Sequence, residues 1–260
     1  TFTNLGFDPD ALRNKYREER DKRLRQDGND QYIEVKGDFS RYVDDPYVEP
    51  GFSRESIDAE IEVIIIGGGF GGMLAAARLR EIGIDDFRII EKGGDFGGTW
   101  YWNRYPGASC DIESYVYFPL LEKTDFVPKQ KYTNAPETLE YCGVIAEKYS
   151  LHENALLQTE VTATEWDEEL GRWRVSTNRA DNILAKYVVH SNGPLNRPKL
   201  PAIRGINDYK GHTFHTSRWD YAYTGGDSHG NLSGLTDKKV AIIGTGATAV
   251  QCVPHLGAAA

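Results

Sequence analysis

IEVIIIGGGFGGMLAAARLREIGIDDFRIIE, residues 61–91, is the stretch on which the reading of the chain turns. The apolar run Val63–Ile66 predicts a strand buried on both faces, as in a parallel sheet. Gly67-Gly68-Gly69-Phe70-Gly71-Gly72 then fits GxGxxG. In that pattern Gly67 permits a tight turn, Gly69 lets backbone approach a pyrophosphate, and Gly72 lets the next helix lie close on the strand. The N–H groups and dipole of that helix favour phosphate charge. Ala75, Leu79 and Ile82 define its expected apolar face, and Gly83 its end. Phe87–Ile90 reads as the second strand. Glu91 closes it about 20 residues past the last glycine, where a carboxylate accepts hydrogen bonds from a ribose diol. A glycine turn alone is weak evidence. Strand, turn, helix and terminal acid together predict dinucleotide binding, with FAD and NAD equally suited to the acid.

A second unit of the same kind follows. Lys239–Ile243 predicts another buried strand, and Gly244-Thr245-Gly246-Ala247-Thr248-Ala249 another turn, with Ala249 in place of the third glycine. Two such turns imply two dinucleotides and electron transfer between them. The expected fold class is α/β, with two dinucleotide-binding, Rossmann-like units built on parallel sheets. A lone strand and helix cannot bury their apolar faces. The second unit is therefore expected to be truncated at Ala260, and the remainder of the same polypeptide to complete it. Pro254 predicts a kink or early end in the last helix.

Between the two turns, Ala135–Tyr149 reads as a helix with Leu139, Cys142, Ile145 and Ala146 on its apolar side. Leu156–Asp167, Arg172–Thr177 and Ile183–Ser191 read as strands. The first two form an antiparallel β insertion, and the third ends at Ser191-Asn192-Gly193-Pro194, where backbone at Gly193 can lie near the ligand. The expected organisation is an N-terminal helical and extended segment (1–60), a first dinucleotide-binding domain (61–193), a linker (194–236) and the start of a second dinucleotide-binding domain (237–260). In the first segment, Asp8-Pro9-Asp10 opens a charged helix, Ala11–Gln26, read as a solvated helix across the main domain. Ser40–Ser56 reads as an extended wrap.

A formal charge of −9 over 260 residues argues against general nucleic-acid binding, which needs a basic face. Cys110, Cys142 and Cys252 are too few and too far apart for a disulfide framework or a zinc site, and no metal is expected. They suggest a reducing, cytoplasmic setting. No run approaches the roughly 20 apolar residues of a membrane span. The N-terminus has no signal-like core, although a start at Thr1 leaves room for a trimmed leader.

Lys92–Gly107 is a glycine-rich loop with four aromatics in six residues, Trp100, Tyr101, Trp102 and Tyr105. Flat side chains beside backbone that permits close approach suit a planar ring system. Asp111 and Glu113 follow as candidate functional carboxylates, although composition alone would make them surface acids. Cys110 reads as a small buried residue.

Tyr209-x-Gly211-xxx-His215-xxx-Trp219-Asp220 resembles the fingerprint FxGxxxHxxxW(P/D) of type I Baeyer–Villiger monooxygenases, with Tyr for Phe. Gly97–Ala108 and Cys110–Ser114 also look like that family's flavin segment, and the resemblance spans roughly residues 61–260. It implies FAD and NADP(H) as cofactors, and a small-molecule ketone and O2 as substrates. It implies oxygen insertion beside the carbonyl to give an ester or lactone by way of a flavin C4a-peroxide. By the same resemblance Gly67, Gly69, Phe70, Gly71, Gly72, Glu91, Gly98, Thr99, Trp100, Tyr101, Trp102, Tyr117, Val161 and Gly193 serve FAD. Gly244, Thr245, Gly246, Ala247, Thr248, Ala249, Val250 and Gln251 serve NADP, with Ser109, Cys110 and Asp111 beside it. Asp111 would sit near the flavin and tune a catalytic arginine beyond Ala260. Some members carry Arg where Ser109 stands. His215 reads as a structural or hinge residue of the fingerprint, and Trp219 as a packing anchor. The long N-terminal segment resembles members that act on bulky cyclic ketones. The alternatives are a related N- or S-oxygenating flavoenzyme, a disulfide reductase (disfavoured because no cysteine pair follows the first turn), and a nucleotide-binding fragment without turnover.

Overall fold

The structure, a computed structural model, describes residues 6–260; the first five residues of the N-terminal segment, with the Thr1 start, lie outside them. The chain forms two compact units, residues 1–40 with 199–212, and residues 41–198 with 213–260.

The smaller unit begins with α1, Pro9–Asp21. Asp8 caps it by accepting from the Asp10 and Ala11 N–H groups, and Pro9 supplies the first turn. The helix ends five residues before the expected Gln26, and no residue in it is buried. β1 (Tyr32–Glu34) follows in this unit.

The larger unit carries the sheet. Its elements in chain order are β2 (Asp58–Ile66), α2 (Phe70–Glu81), β3 (Phe87–Ile90), α3 (Thr99–Trp102), α4 (Ser114–Tyr117), α5 (Leu121–Thr124), α6 (Ala135–Lys148), β4 (Ala155–Leu156), β5 (Val161–Asp167), β6 (Arg172–Thr177) and β7 (Asn182–His190). β8 (Lys199–Pro201) belongs to the smaller unit and pairs antiparallel with β1. α7 (Tyr221–Thr224) and α8 (Ala247–Ala259) complete the larger unit.

Six strands lie in the order β4-β3-β2-β7-β6-β5. β4, β3, β2 and β7 are parallel, and β7, β6 and β5 are antiparallel. The antiparallel strands thus extend the parallel sheet. β7 joins the two parts: its first four residues pair with both β2 and β6, while the rest pairs with β2 alone. The strands end together at Ile66, Ile90 and His190, which places the loops beginning at Gly67, Glu91 and Ser191 on one edge. Ligands bind at that carboxyl edge in open parallel sheets.

Two apolar layers cover the sheet. One packs Val63, Ile65, Phe87 and Ile89 against Met73, Ala76 and Ala77 of α2 and Tyr141, Cys142 and Ile145 of α6. The other face gathers Ile61, Ile64, Ile90, Val175 and Ile183. The buried face of α2 differs from the expected one. Gly72, Met73, Ala76 and Ala77 are buried, Ala75 and Leu79 only partly, and Ile82 is 71% exposed. The cause is Gly72, where a Cβ would fall well inside contact distance of the Gly67 carbonyl oxygen. That close approach fixes which side of the helix meets the strand.

Three further expectations need correction. Leu156–Asp167 is not one strand. It breaks between Leu156 and Val161, where Gln158 has φ 48°. The break lets the chain leave the parallel sheet at β4 and rejoin it antiparallel at β5. Lys239–Ile243 forms no strand, and Val240 and Ile243 are 42% and 69% exposed. A parallel strand takes its hydrogen bonds from neighbours, and among the described residues this stretch has no ladder partner. Finally, α8 runs through Pro254 to Ala259. One helical donor is lost, but Cys252 and Leu256 are buried on either side and hold the helix against the unit.

Candidate functional site

The first glycine turn is assembled from backbone. Gly67 N–H donates to the Ile90 carbonyl at 2.9 Å, and Gly97 N–H donates to the Gly68 carbonyl at 2.9 Å. Gly67 has φ 107°, and a Cβ on it would lie 2.8 Å from the Ser191 carbonyl oxygen. A Cβ on Gly98 would lie 2.7 Å from the Gly69 Cα. The two glycine loops therefore touch main chain to main chain. Gly69 caps α2 with no side-chain bond, which leaves the first N–H groups of the helix available to an anion.

Glu91 sits beneath this turn and is 6% exposed. Its two carboxylate oxygens accept from the Gly68 N–H at 2.5 Å and the Gly93 N–H at 2.6 Å. Burial raises its pKa above the ordinary value, and the two N–H bonds only partly oppose that. A carboxylate has about four lone-pair sites, so two remain for further donors such as a ribose diol.

The aromatic loop folds into α3 beside the glycine turns. Each of its three consecutive rings is held from a different part of the chain. Trp100 Nε1 donates to the Tyr117 hydroxyl at 2.9 Å. The Tyr101 hydroxyl donates to Asp45 at 2.7 Å and accepts from the Gly94 N–H at 2.8 Å. The Trp102 ring lies under the Arg218 guanidinium, 4.0 Å from its centroid. Arg104 stacks on Tyr47 and Tyr101, 3.9 and 4.7 Å from the ring centroids. Phe70 meets Tyr117 edge-on at 5.5 Å, so the fourth residue of the glycine turn joins this cluster. Thr99 is half-buried, and its carbonyl accepts from the Asn103 amide.

Asp111 is exposed, and so is Glu113, which pairs with Lys131 at 2.8 Å. Cys110 is buried, and burial pushes its thiol pKa up. Val161 packs on the sheet face opposite α2 and α6. It follows Thr159, whose N–H donates to the Glu91 carbonyl at 2.9 Å. Gly193 is exposed, with open space around its Cβ position.

The second glycine turn, Gly244–Gly246, is exposed, as are Ala247 and Val250; Thr248 and Ala249 are partly buried. Its helix docks on the aromatic loop. Gln251 accepts from the Tyr105 hydroxyl at 2.6 Å and donates to the Ser109 carbonyl at 2.9 Å and hydroxyl at 3.2 Å. Gly107, at φ 77°, would place a Cβ 2.5 Å from the Gln251 carbonyl oxygen.

The fingerprint residues divide between the two units. Tyr209 and Gly211 fall in the smaller one, and Tyr209 is 63% exposed. His215, Trp219 and Asp220 fall in the larger one. His215 Nδ1 accepts from the Ser217 N–H and so caps the turn Thr216–Arg218. Burial and the Arg218 charge lower its pKa, which favours the neutral ring that this bond requires. Trp219 is buried against Phe214 and donates to the Thr224 hydroxyl at 3.0 Å. Asp220 caps α7 through the Tyr223 N–H.

Sequence reading missed Asp45 and Arg218. Arg218 lies inside the quoted fingerprint, next to Trp219, and Asp45 precedes a proline in the wrap. Neither position signals its partners, which lie far away along the chain.

Residues 64–258 match the family described as pyridine nucleotide-disulphide oxidoreductase. The chain belongs to that family. It is 50% identical over 246 residues to a Baeyer–Villiger monooxygenase of Streptomyces coelicolor, a match covering 95% of this chain and 41% of the relative. Among solved structures, the polycyclic ketone monooxygenase of Thermothelomyces thermophila superposes with a TM-score of 0.88 at 39% identity, over 96% of this chain and 43% of that one. OTEMO in complex with FAD and NADP superposes with a TM-score of 0.70 at 33% identity, over 77% and 37%. The resemblance to Baeyer–Villiger monooxygenases read from the linker signature and aromatic loop therefore holds across the chain. The chain spans about two fifths of the length of the curated relatives it matches. No helix among the described residues is long and apolar enough to cross a membrane.

Proposed function

We propose that the protein to which this chain belongs is an FAD-containing, NADPH-dependent monooxygenase that inserts one oxygen atom of O2 beside a ketone carbonyl, giving an ester or lactone. One observation carries the reading. The helix of the second glycine turn rests, through Gln251, on the same loop whose aromatic turn borders the first. Two dinucleotides seated on these turns would meet across that loop. The similarity to proteins named as Baeyer–Villiger monooxygenases, and to a structure holding FAD and NADP, supports it.

The residues fit FAD. Glu91 keeps lone pairs for the ribose, the uncapped start of α2 faces a pyrophosphate, and the loop at Gly98–Trp102 offers flat walls. When bound, FAD supplies the centre at which O2 is activated by electrons from NADPH. The chain's own residues bind, orient and exclude water. Trp100, Phe70 and Tyr117 form an aromatic edge beside the first glycine turn, and water excluded by a bound cofactor there would strengthen any charge interaction. Gly244–Gln251 receive the NADP pyrophosphate, with Ser109 and Cys110 beside it. The exposed Asp111 carboxylate is open to an arginine from the rest of the polypeptide. The domain limits 61–193, 194–236 and 237–260 describe this division of labour. Three free, buried cysteines suit a reducing cytoplasm and offer no dithiol for disulfide reduction.

The test uses the purified full-length protein with FAD, NADPH, ¹⁸O2 and a panel of cyclic ketones. A yellow protein that yields ester carrying one labelled oxygen is expected, and the 260-residue chain alone is expected to yield none. A full-length protein that remains colourless with excess FAD sinks the reading. So does one that consumes NADPH without forming ester from any ketone of the panel.

A further inference from the structure

The wrap Arg41–Val48 touches two loops that the proposed function needs. On one side Asp45 accepts from the Tyr101 hydroxyl at 2.7 Å and from the Gly94 N–H at 3.2 Å. Its other oxygen accepts from the Tyr47 N–H at 2.9 Å, which orients the carboxylate within the wrap while the first oxygen holds the loop. On the other side the Asp44 carbonyl accepts from Arg218 Nε at 3.0 Å, and the Tyr42 hydroxyl meets the Thr213 hydroxyl at 2.6 Å. Arg218 is 5% exposed. Its remaining donors go to the Ser217 carbonyl at 2.9 Å and the Asn196 carbonyl at 3.1 Å, and its flat face covers Trp102. Burial lowers its pKa, with Asp45 and Asp44 among the groups that oppose this.

A buried guanidinium held mainly by main-chain carbonyls has a fixed orientation, because all three nitrogens of its planar fork donate to separate groups. That fixes Trp102. Asp45 fixes Tyr101 in the same way, by a charge-assisted hydrogen bond. The supports of Tyr101 and Trp102 thus come from the N-terminal wrap and from the fingerprint turn. Sequence reading assigned neither of these to the cofactor.

Resting on the functional reading above, we infer that Asp45 and Arg218 are positioning residues for the flavin, acting through Tyr101 and Trp102, and that the wrap is a working part of the FAD site. Cofactor affinity then depends on contacts made by a segment that precedes the first glycine turn by about 20 residues.

The experiment measures FAD dissociation and the visible spectrum of bound FAD in the full-length protein, comparing wild type with Asp45→Asn, Tyr101→Phe, the double variant and Arg218→Lys. Tyr101→Phe keeps the ring and its packing, so it reports on the hydrogen bond even where Asp45→Asn folds poorly. Each single change at Asp45 or Tyr101 is expected to weaken FAD binding about tenfold, the worth of one hydrogen bond to a charged group. The double variant is expected to lose less than the sum of the two single losses, because the two changes share the Asp45–Tyr101 contact. Arg218→Lys is expected to change the shape of the flavin band at saturating FAD, which a loss of stability alone would not do. Wild-type affinity in Tyr101→Phe, or additive losses in the double variant, would overturn the inference while leaving the functional reading intact. A wild-type protein that takes up no FAD would overturn both.

Discussion

Removing the charge of Asp181 is expected to loosen the N-terminal wrap from the sheet by a measurable amount. The Asp181 side chain is fully buried, and four donors converge on it. Arg54 Nη1 and Nη2 lie at 2.7 and 2.5 Å, the Ile57 N–H at 2.8 Å and the Thr177 hydroxyl at 2.6 Å. Burial raises the pKa of this carboxyl, but the Arg54, Thr177 and Ile57 hydrogen bonds outweigh it and bring it from 3.8 to about 2. A lowered folded-state value means the stabilisation is present above pH 3.8 and disappears as the pH falls towards 2. Its size is about 2 kcal/mol, at 1.36 kcal/mol per pH unit. Asp181→Asn goes further. It leaves a partly buried guanidinium without its counter-charge and turns an amide donor towards other donors, a change that costs about 3 kcal/mol. Native-state hydrogen exchange followed by mass spectrometry reads this locally. Protection of the Ile57 amide and of the Asn182 amide, which donates to the Ile57 carbonyl, should fall about a hundredfold in the variant at pH 7. In wild type the same amides should lose protection selectively below pH 4. A variant with unchanged protection at both amides, or a wild type indifferent to acid there, would refute the electrostatic account of this clamp.

Other outcomes can be checked alongside. Gly72→Ala in the full-length protein should abolish flavin retention, because the added methyl group meets the Gly67 carbonyl oxygen; the cost of about 1–3 kcal/mol exceeds the gain in helix propensity, and absorbance of the purified protein decides it. Glu91 should show the opposite pH behaviour to Asp181: its raised value means that its share of apo-protein stability is fully present below pH 4.5 and fades as the pH rises. Exchange at the Gly68 and Gly93 amides, compared with Glu91→Gln, measures it. Gln251→Ala removes the Tyr105 and Ser109 contacts of α8, and a roughly tenfold rise in KM for NADPH with intact FAD content is the expected kinetic result. The three thiols, all buried with raised pKa values, should resist a thiol reagent until the protein unfolds.

The part of the fold set by local chemistry was legible before any coordinates. Gly67, Gly72, Gly83 and Glu91 mark a turn, a close crossing, a helix end and an acid, and each depends on residues near it in sequence. What needed partners from elsewhere was not legible. Lys239–Ile243 has the composition of a strand, but a strand exists only beside a neighbour. The apolar side of α2 follows from the crossing at Gly72, and counting apolar residues put Ile82 on it, which is exposed, in place of Met73, Ala76 and Ala77. Asp45 and Arg218 look like ordinary surface charges in the sequence. Their roles come from Tyr101, 56 residues from Asp45, and from Asp44, 174 residues from Arg218. Asp111 is visible in both readings, as a candidate carboxylate in the sequence and as an exposed one in the fold.

The seat of α8 has a mechanical consequence. Gly107 leaves no clearance between the Tyr105–Gly107 bend and the helix backbone at Gln251, and the Tyr105 and Ser109 bonds pin the same spot. Cys252 and Leu256 are buried further along the same helix, so α8 is anchored to the aromatic loop along its length. The exposed stretch before Gly246 is then the part of the second glycine turn left with room to adjust, while the distance from Gln251 to the aromatic loop stays set.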